Sequence, residues 1–341
     1  MTEALDIEQP EALLRYLRAT GRIAREETPT LRVLRGGVSN RTILVQRADG
    51  EAWVIKQALA KLRVQEDWFS DPARIHREAL GLRWLERVAP PGTITPFVFE
   101  DHEHHLLAMQ AVPEPHENWK TLLLRGGLEL GDIAQFGQLL GTIHDRAGGC
   151  RCEVRLMFDD RTFFETLRLE PYYRFTARRH PQTAAFFDAL ISETLGTRVT
   201  LVHGDFSPKN ILVHQGRLVL IDHEVIHWGD PAFDLGFSFT HLLSKAHHRP
   251  AQRRDFLEAA RWYWQSYRMH GGELARGADL EARAVRHTLA CLLARVDGRS
   301  PLEYLTEEER HRQRQIVLGI LPAPPARLAD LFEVFGTALS R

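Results

Sequence analysis

The chain has 341 residues, 44% hydrophobic and 26% charged, which is length enough to bury a sizeable core in one two-lobed unit or two domains. With 44 Lys and Arg against 45 Asp and Glu the formal net charge is −1, which excludes bulk electrostatic attraction to nucleic acid or to an anionic membrane. Cys150, Cys152 and Cys291 form neither an even set nor a C-x-x-C pair, so they argue against a disulfide framework and suit a reducing cytoplasm.

The first ten residues are acidic and lack the apolar segment of a signal peptide, and no apolar run approaches the length of a membrane span. Leu13, Leu14 and Leu17 at helical spacing predict a surface helix over 11–20, stopped by Gly21. Strands are predicted over 30–34, 41–46 and 52–58, with Asp49-Gly50 as a hairpin turn between the last two. The turn between the first two holds Gly36, Gly37, Ser39 and Asn40, small residues that let backbone N–H groups approach an anion. Lys56 ends the apolar run Trp53-Val54-Ile55, so its ammonium is expected to point into a cleft. A helix is predicted over 72–88, with Asp71 as its N-cap and Pro72 in the first turn. Ile75, Leu82 and Leu85 mark its apolar face, and Glu78 lies on that side one turn from each of the first two.

Two further strands are expected over 94–99 and 105–112, joined by a polar turn. His102, His104 and His105 are read as part of that turn rather than as metal ligands. Pro113 and Pro115 end the second strand and begin a linker. Ile133, Phe136, Leu139, Leu140 and Ile143 predict a helix over 132–147, stopped at Gly148-Gly149, with His144 as a packed histidine. Residues 151–201 are mostly helical and aromatic-rich, and 250–341 are helical by pattern.

Between these helical regions lies the most informative stretch. Val202 to Asn210 reads V-H-G-D-F-S-P-K-N, with Asn210 five positions after Asp205. That is the separation at which a kinase catalytic loop places the Asp that accepts the substrate hydroxyl proton and the Asn that holds magnesium. The runs 211–213 and 218–221 flank a polar turn and predict a hairpin, which would bring Asn210 and Asp222 to one end. Glu224 follows closely enough to touch metal or substrate.

H-G-D-F-S-P-K-N, then I-D-H-E, then G-D-P-A-F-D-L-G resembles the aminoglycoside phosphotransferase family of small-molecule kinases, relatives of choline and methylthioribose kinases. The resemblance runs from about residue 31 to 304 and is strongest over 200–236. It implies an α+β, protein-kinase-like fold. Residues 1–112 would form a nucleotide-binding lobe of antiparallel sheet plus helix, and 113–341 a mostly helical catalytic and acceptor-binding lobe. It further implies ATP or GTP as donor, Mg2+ held by Asn210 and Asp222, Asp205 as catalytic base and a small-molecule hydroxyl as acceptor. Lys56 braced by Glu78 would hold the α and β phosphates. Gly36, Gly37, Ser39 and Asn40 would form the nucleotide loop, and Gln110 and Val112 the adenine-binding hinge. Asp234 would support the catalytic loop, and Arg295 and Asp297 would contact the acceptor. The alternatives are a catalytically silent nucleotide-binding module and a protein kinase. H-G-D in place of H-R-D, and no D-F-G or A-P-E, count against the latter.

Overall fold

In the computed structural model, which describes residues 5–34, 37, 39–63 and 68–340, the N-terminal part is a five-stranded antiparallel sheet. Its strands are β1 (Thr30–Val33), β2 (Asn40–Gln46), β3 (Ala52–Ala58), β4 (Phe97–Asp101) and β5 (Leu106–Gln110), in the order β1-β2-β3-β5-β4. Side chains alternate between faces with a period of two. On one face Ile43, Val45, Trp53, Ile55, Leu106 and Ala108 pack beneath Leu13 and Leu17 of the helix Pro10–Ala19. On the other, Ala58, Leu107 and Met109 pack on Ile75, Ala79 and Leu82 of the helix Arg74–Val88. Lys56 shares the parity of Val54 and Ala58, so it must project toward that second helix. Glu78 lies between Ile75 and Leu82 on the helix's buried face.

Several predicted boundaries shift. The second helix begins at Arg74 rather than Pro72, although Asp71 still accepts the Ala73 N–H at 2.9 Å. The strand expected from Ile94 begins at Phe97, because Ile94 instead bridges Leu220. The helix Leu130–Gly149 runs through the two glycines expected to stop it, and a short helix, Arg151–Phe158, follows. The 211–221 region is the expected hairpin, pairing Ile211 with Leu220 through His214 with Arg217. A third strand, Glu117–Asn118, adds to it.

The C-terminal region is built on the helices Leu130–Gly149, Pro231–His248, Arg253–His270 and Ala278–Asp297 around one apolar core. Gly141 permits the first and third to touch, since a Cβ there would stand 2.8 Å from the Tyr267 carbonyl oxygen. This core also encloses histidines. Burial holds His227 down to about 4, His287 down to about 3 and His241 well below the ordinary value of 6.5. Each binds fewer protons folded than unfolded, so its contribution is complete above about 6.5 and is lost as pH falls toward 4 or 3. His227 and His287 are each worth on the order of a few kcal/mol at neutral pH. The urea midpoint is therefore expected to drop steeply between pH 6.5 and 4; a flat profile would show that these rings are hydrated.

Candidate active site

The strand Thr200–Val202 pairs with His227–Gly229 and delivers the chain into His203-Gly204-Asp205. Gly204 has φ of 77° and lies against Val225, whose carbonyl oxygen would be 3.0 Å from an added Cβ, so the turn requires glycine. Asp234, in the first turn of Pro231–His248, fixes this bend. Its Oδ2 accepts the His203 N–H at 2.7 Å, and its Oδ1 accepts the Gly204 N–H at 2.8 Å. Asp230 caps the same helix, accepting the Ala232 N–H at 3.0 Å. Burial alone would raise the Asp234 carboxyl, but His144 beside it and the loop N–H groups hold it below the ordinary range. His144 is fully buried between Asp234 and Tyr267, as a packed histidine should be.

Asp205 faces a cavity of about 1280 Å³ between the sheet and the helical region. Its Oδ2 lies 2.9 Å from Arg168 Nη2 and accepts the Asn210 amide N–H at 2.8 Å. Arg168 also donates to the Gly204 carbonyl at 2.7 Å and is buried. It sits in Glu165–Arg174, a wide helical turn around Pro171. No spacing in the sequence pointed to it. If Asp205 is the base that the sequence resemblance implies, Arg168→Gln, which removes the cation paired with it, lowers kcat about 10- to 100-fold with little change in nucleotide affinity. Steady-state kinetics with both substrates varied would check this; an unchanged kcat would remove Arg168 from the account.

The Asn210 carbonyl accepts the Ile221 N–H at 3.0 Å, which sets Asn210 beside Asp222 at the hairpin's end. Asp222 takes φ of 70°, an uncommon conformation for a non-glycine residue and one that turns it into the cavity. Its Oδ1 lies 2.9 Å from Lys56 Nζ, which is 2.7 Å from Glu78 Oε1. Burial penalises all three charges. The two carboxylates nevertheless hold the Lys56 ammonium above its ordinary value, and Lys56 draws Asp222 below its own. Glu78, fully buried and near Asp222, is pushed up to about 7 despite Lys56. Asn210 turns its amide nitrogen to Asp205, which among the described residues leaves its oxygen without a hydrogen-bond donor, and Asp222 keeps a second oxygen. An oxygen-only pair of this kind fits a hard divalent cation such as Mg2+.

Glu224 also lines the cavity. It is held at 3.1 Å by the buried Arg74, which reaches the Ser39 carbonyl as well. Arg74 thus ties the loop before β2 to the segment after Asp222, another pairing that left no sequence signal. Burial and Asp222 raise the Glu224 carboxyl. Gly37, Ser39, Asn40, Gln110 and Val112 line the cavity, whereas Gly36 lies outside the described residues. Arg295 stands one layer behind the wall, donating to the Tyr172 hydroxyl at 3.0 Å. The expectation that Asp297 contacts an acceptor is corrected. Two positions apart on a helix, residues do not share a face. Asp297 points away from the cavity and is bound by Arg314 at 2.6 Å and His180 at 2.7 Å. His102 does gather with His76 and Glu100, but the His76 and His102 rings stack at 3.9 Å and 10°, so their lone pairs do not converge, and Arg83 already pairs with Glu100.

The model of the phosphotransferase enzyme family matches residues 30–270. The methylthioribose kinases of Pectobacterium atrosepticum and Pectobacterium carotovorum are each 26% identical, over 251 and 253 residues. Each match covers 63% of this chain and 62% of the relative, so the chain spans under two thirds of those relatives' length. Among solved structures, an amicoumacin kinase in complex with AMP-PNP and Ca2+ superposes with a TM-score of 0.58 at 13% identity, over 89% of this chain and 91% of that one. A choline/ethanolamine kinase family protein from Mesorhizobium loti gives 0.53 at 13%, over 96% and 98%. A macrolide 2'-phosphotransferase from Brachybacterium faecium gives 0.51 at 17%, over 92% and 99%. At these identities the likeness is one of fold. Among the described residues no helix is long and apolar enough to cross a membrane.

Proposed function

Because the chain belongs to the phosphotransferase enzyme family, we propose that it transfers the γ-phosphoryl of ATP or GTP to a hydroxyl of a small molecule, in a reducing cytoplasm. The observation that carries this reading is the convergence of Asp205, Asn210, Asp222 and Lys56 on one cavity. In the transfer, the acceptor oxygen bonds to the γ-phosphorus as the bond to the β,γ-bridging oxygen breaks, and the nucleoside diphosphate leaves. Asp205 takes the hydroxyl proton, its carboxylate aimed by Arg168 and Asn210. Lys56 offers its ammonium to the α and β phosphates, and Glu78 keeps it extended. Asn210 and Asp222 would hold Mg2+, which supplies charge neutralisation on the phosphate oxygens. The backbone at Gln110 and Val112 would receive the base, with Gly37, Ser39 and Asn40 near the phosphates, so that the nucleotide lies between residues 1–112 and 113–341.

Incubation with γ-labelled ATP, a metabolite extract and a peptide library tests this directly. Label in the small-molecule fraction is the expected result, and methylthioribose is one acceptor to include. Label confined to peptide would favour a protein kinase. Magnesium-dependent nucleotide binding with label nowhere would favour the silent module.

A further inference from the structure

Beyond Asp205 the cavity wall carries Lys120, Lys209, Arg168, Tyr172 and Ser300. The carboxylates nearest these cations are already engaged: Asp205 by Arg168, Glu224 by Arg74 and Glu303 by Lys120. Behind the wall lie two further cations. Arg295, 8% exposed, donates to the Tyr172 hydroxyl at 3.0 Å and to the Ser300 carbonyl at 2.6 Å, and its Nε has no partner. Lys245 is fully buried, and its ammonium lies 3.4 Å from the His241 carbonyl oxygen and 5.4 Å from the ring centroid of Tyr304. Among the described residues neither is ion-paired to a carboxylate. Both ring nitrogens of the buried His241 and the Tyr304 hydroxyl also lack partners.

Buried positive charge without a counter-ion is expensive. Burial first, then the charges of Lys120 and Arg295, hold the Lys245 ammonium down to about 7, and the Glu303 carboxylate offsets them only in part. His241 responds to the same group, since Arg295, Lys245, Lys120 and Lys209 all act on it. The cluster is therefore partly unsatisfied, and through Tyr172 and Ser300, both bonded by Arg295, it backs the wall of the cavity that Asp205 faces.

We infer that the acceptor is an anion: a hydroxylated small molecule whose carboxylate or phosphate group docks at the Lys120–Tyr172–Ser300 wall, backed by Arg295 and Lys245. This rests on the phosphotransfer reading above and narrows it. A polycationic aminoglycoside or a quaternary amino alcohol would meet like charge at this wall.

The test is calorimetric titration of the full chain, saturated with Mg-AMP-PNP, with D-glycerate as the carboxylate probe and inorganic phosphate as the phosphate probe. Glycerol and choline serve as controls. Saturable binding of one anion and of neither control is expected, and which anion binds distinguishes the two sources. Arg295→Gln and Lys245→Met should weaken it at least tenfold. Lys245→Met replaces a buried charge with an apolar chain of similar length, and unchanged Mg-AMP-PNP affinity verifies that each variant is folded. Binding of neither anion, or equal binding by wild type and both variants, overturns the inference. ADP release driven by neutral acceptors alone overturns it while leaving phosphotransfer standing. Failure of phosphotransfer itself reads differently: the anion binds, yet no acceptor of any charge elicits ADP release, and the acceptor role falls with it.

Discussion

Asp205→Asn is expected to lower kcat by about 10²- to 10⁴-fold while leaving the affinity for Mg-ATP within about threefold. The substitution keeps the size and most of the packing of the side chain but replaces the carboxylate proposed to receive the acceptor proton with a non-basic amide. It also breaks the charge pairing with Arg168 Nη2 at 2.9 Å and offers an amide where Asn210 now donates at 2.8 Å. The proposed nucleotide side rests on other residues, Lys56, Glu78 and Asp222, whose ion pairs do not include Asp205. A loss of Mg-ATP binding as large as the loss of turnover would mean that Asp205 holds the nucleotide.

The second large effect is one of stability. Asp234→Ala removes a fully buried carboxylate that accepts two catalytic-loop N–H groups, at 2.7 and 2.8 Å, and neighbours His144. Two backbone donors are left buried without acceptors, each costing about 1–3 kcal/mol, so a destabilisation of roughly 3–5 kcal/mol is expected in urea unfolding. Turnover should fall as well, because the Gly204 bend that aims Asp205 is no longer tied down. The sign with pH follows from the depressed carboxyl of Asp234. Its contribution is present at neutral pH and is lost as pH falls through its folded value. The gap between wild type and Asp234→Ala should therefore narrow in strong acid. A change below about 1 kcal/mol at neutral pH would show that water replaces the carboxylate.

What could be read from the sequence was local. The hairpin over 211–220 announces itself by two apolar runs around a tight turn, and its pairing alone sets Asn210 beside Asp222. The Lys56–Glu78 pair follows from two periodicities, the strand's period of two and the helix's of 3.6, which direct both side chains to the layer between sheet and helix. The family resemblance and the fold it implied agree with the family match and with the α+β architecture. What could not be read was pairing across long separations. Arg168 reaches Asp205 from 37 positions away, and Arg74 reaches Glu224 from 150, out of stretches whose local pattern is simply helical. A buried arginine at such a position looks in sequence like a solvated one. Asp297 shows the opposite failure: the helical angle between positions 295 and 297 leaves Arg295 bonded to Tyr172 of the cavity wall and turns Asp297 to Arg314.

The central claim is tested most directly by ADP release from Mg-ATP, measured with and without a panel of anionic, neutral and cationic hydroxyl compounds, for wild type and Asp205→Asn side by side. The account predicts release by wild type that depends on an acceptor and falls at least a hundredfold in the variant. Release that ignores every acceptor, or that persists undiminished in Asp205→Asn, would contradict it.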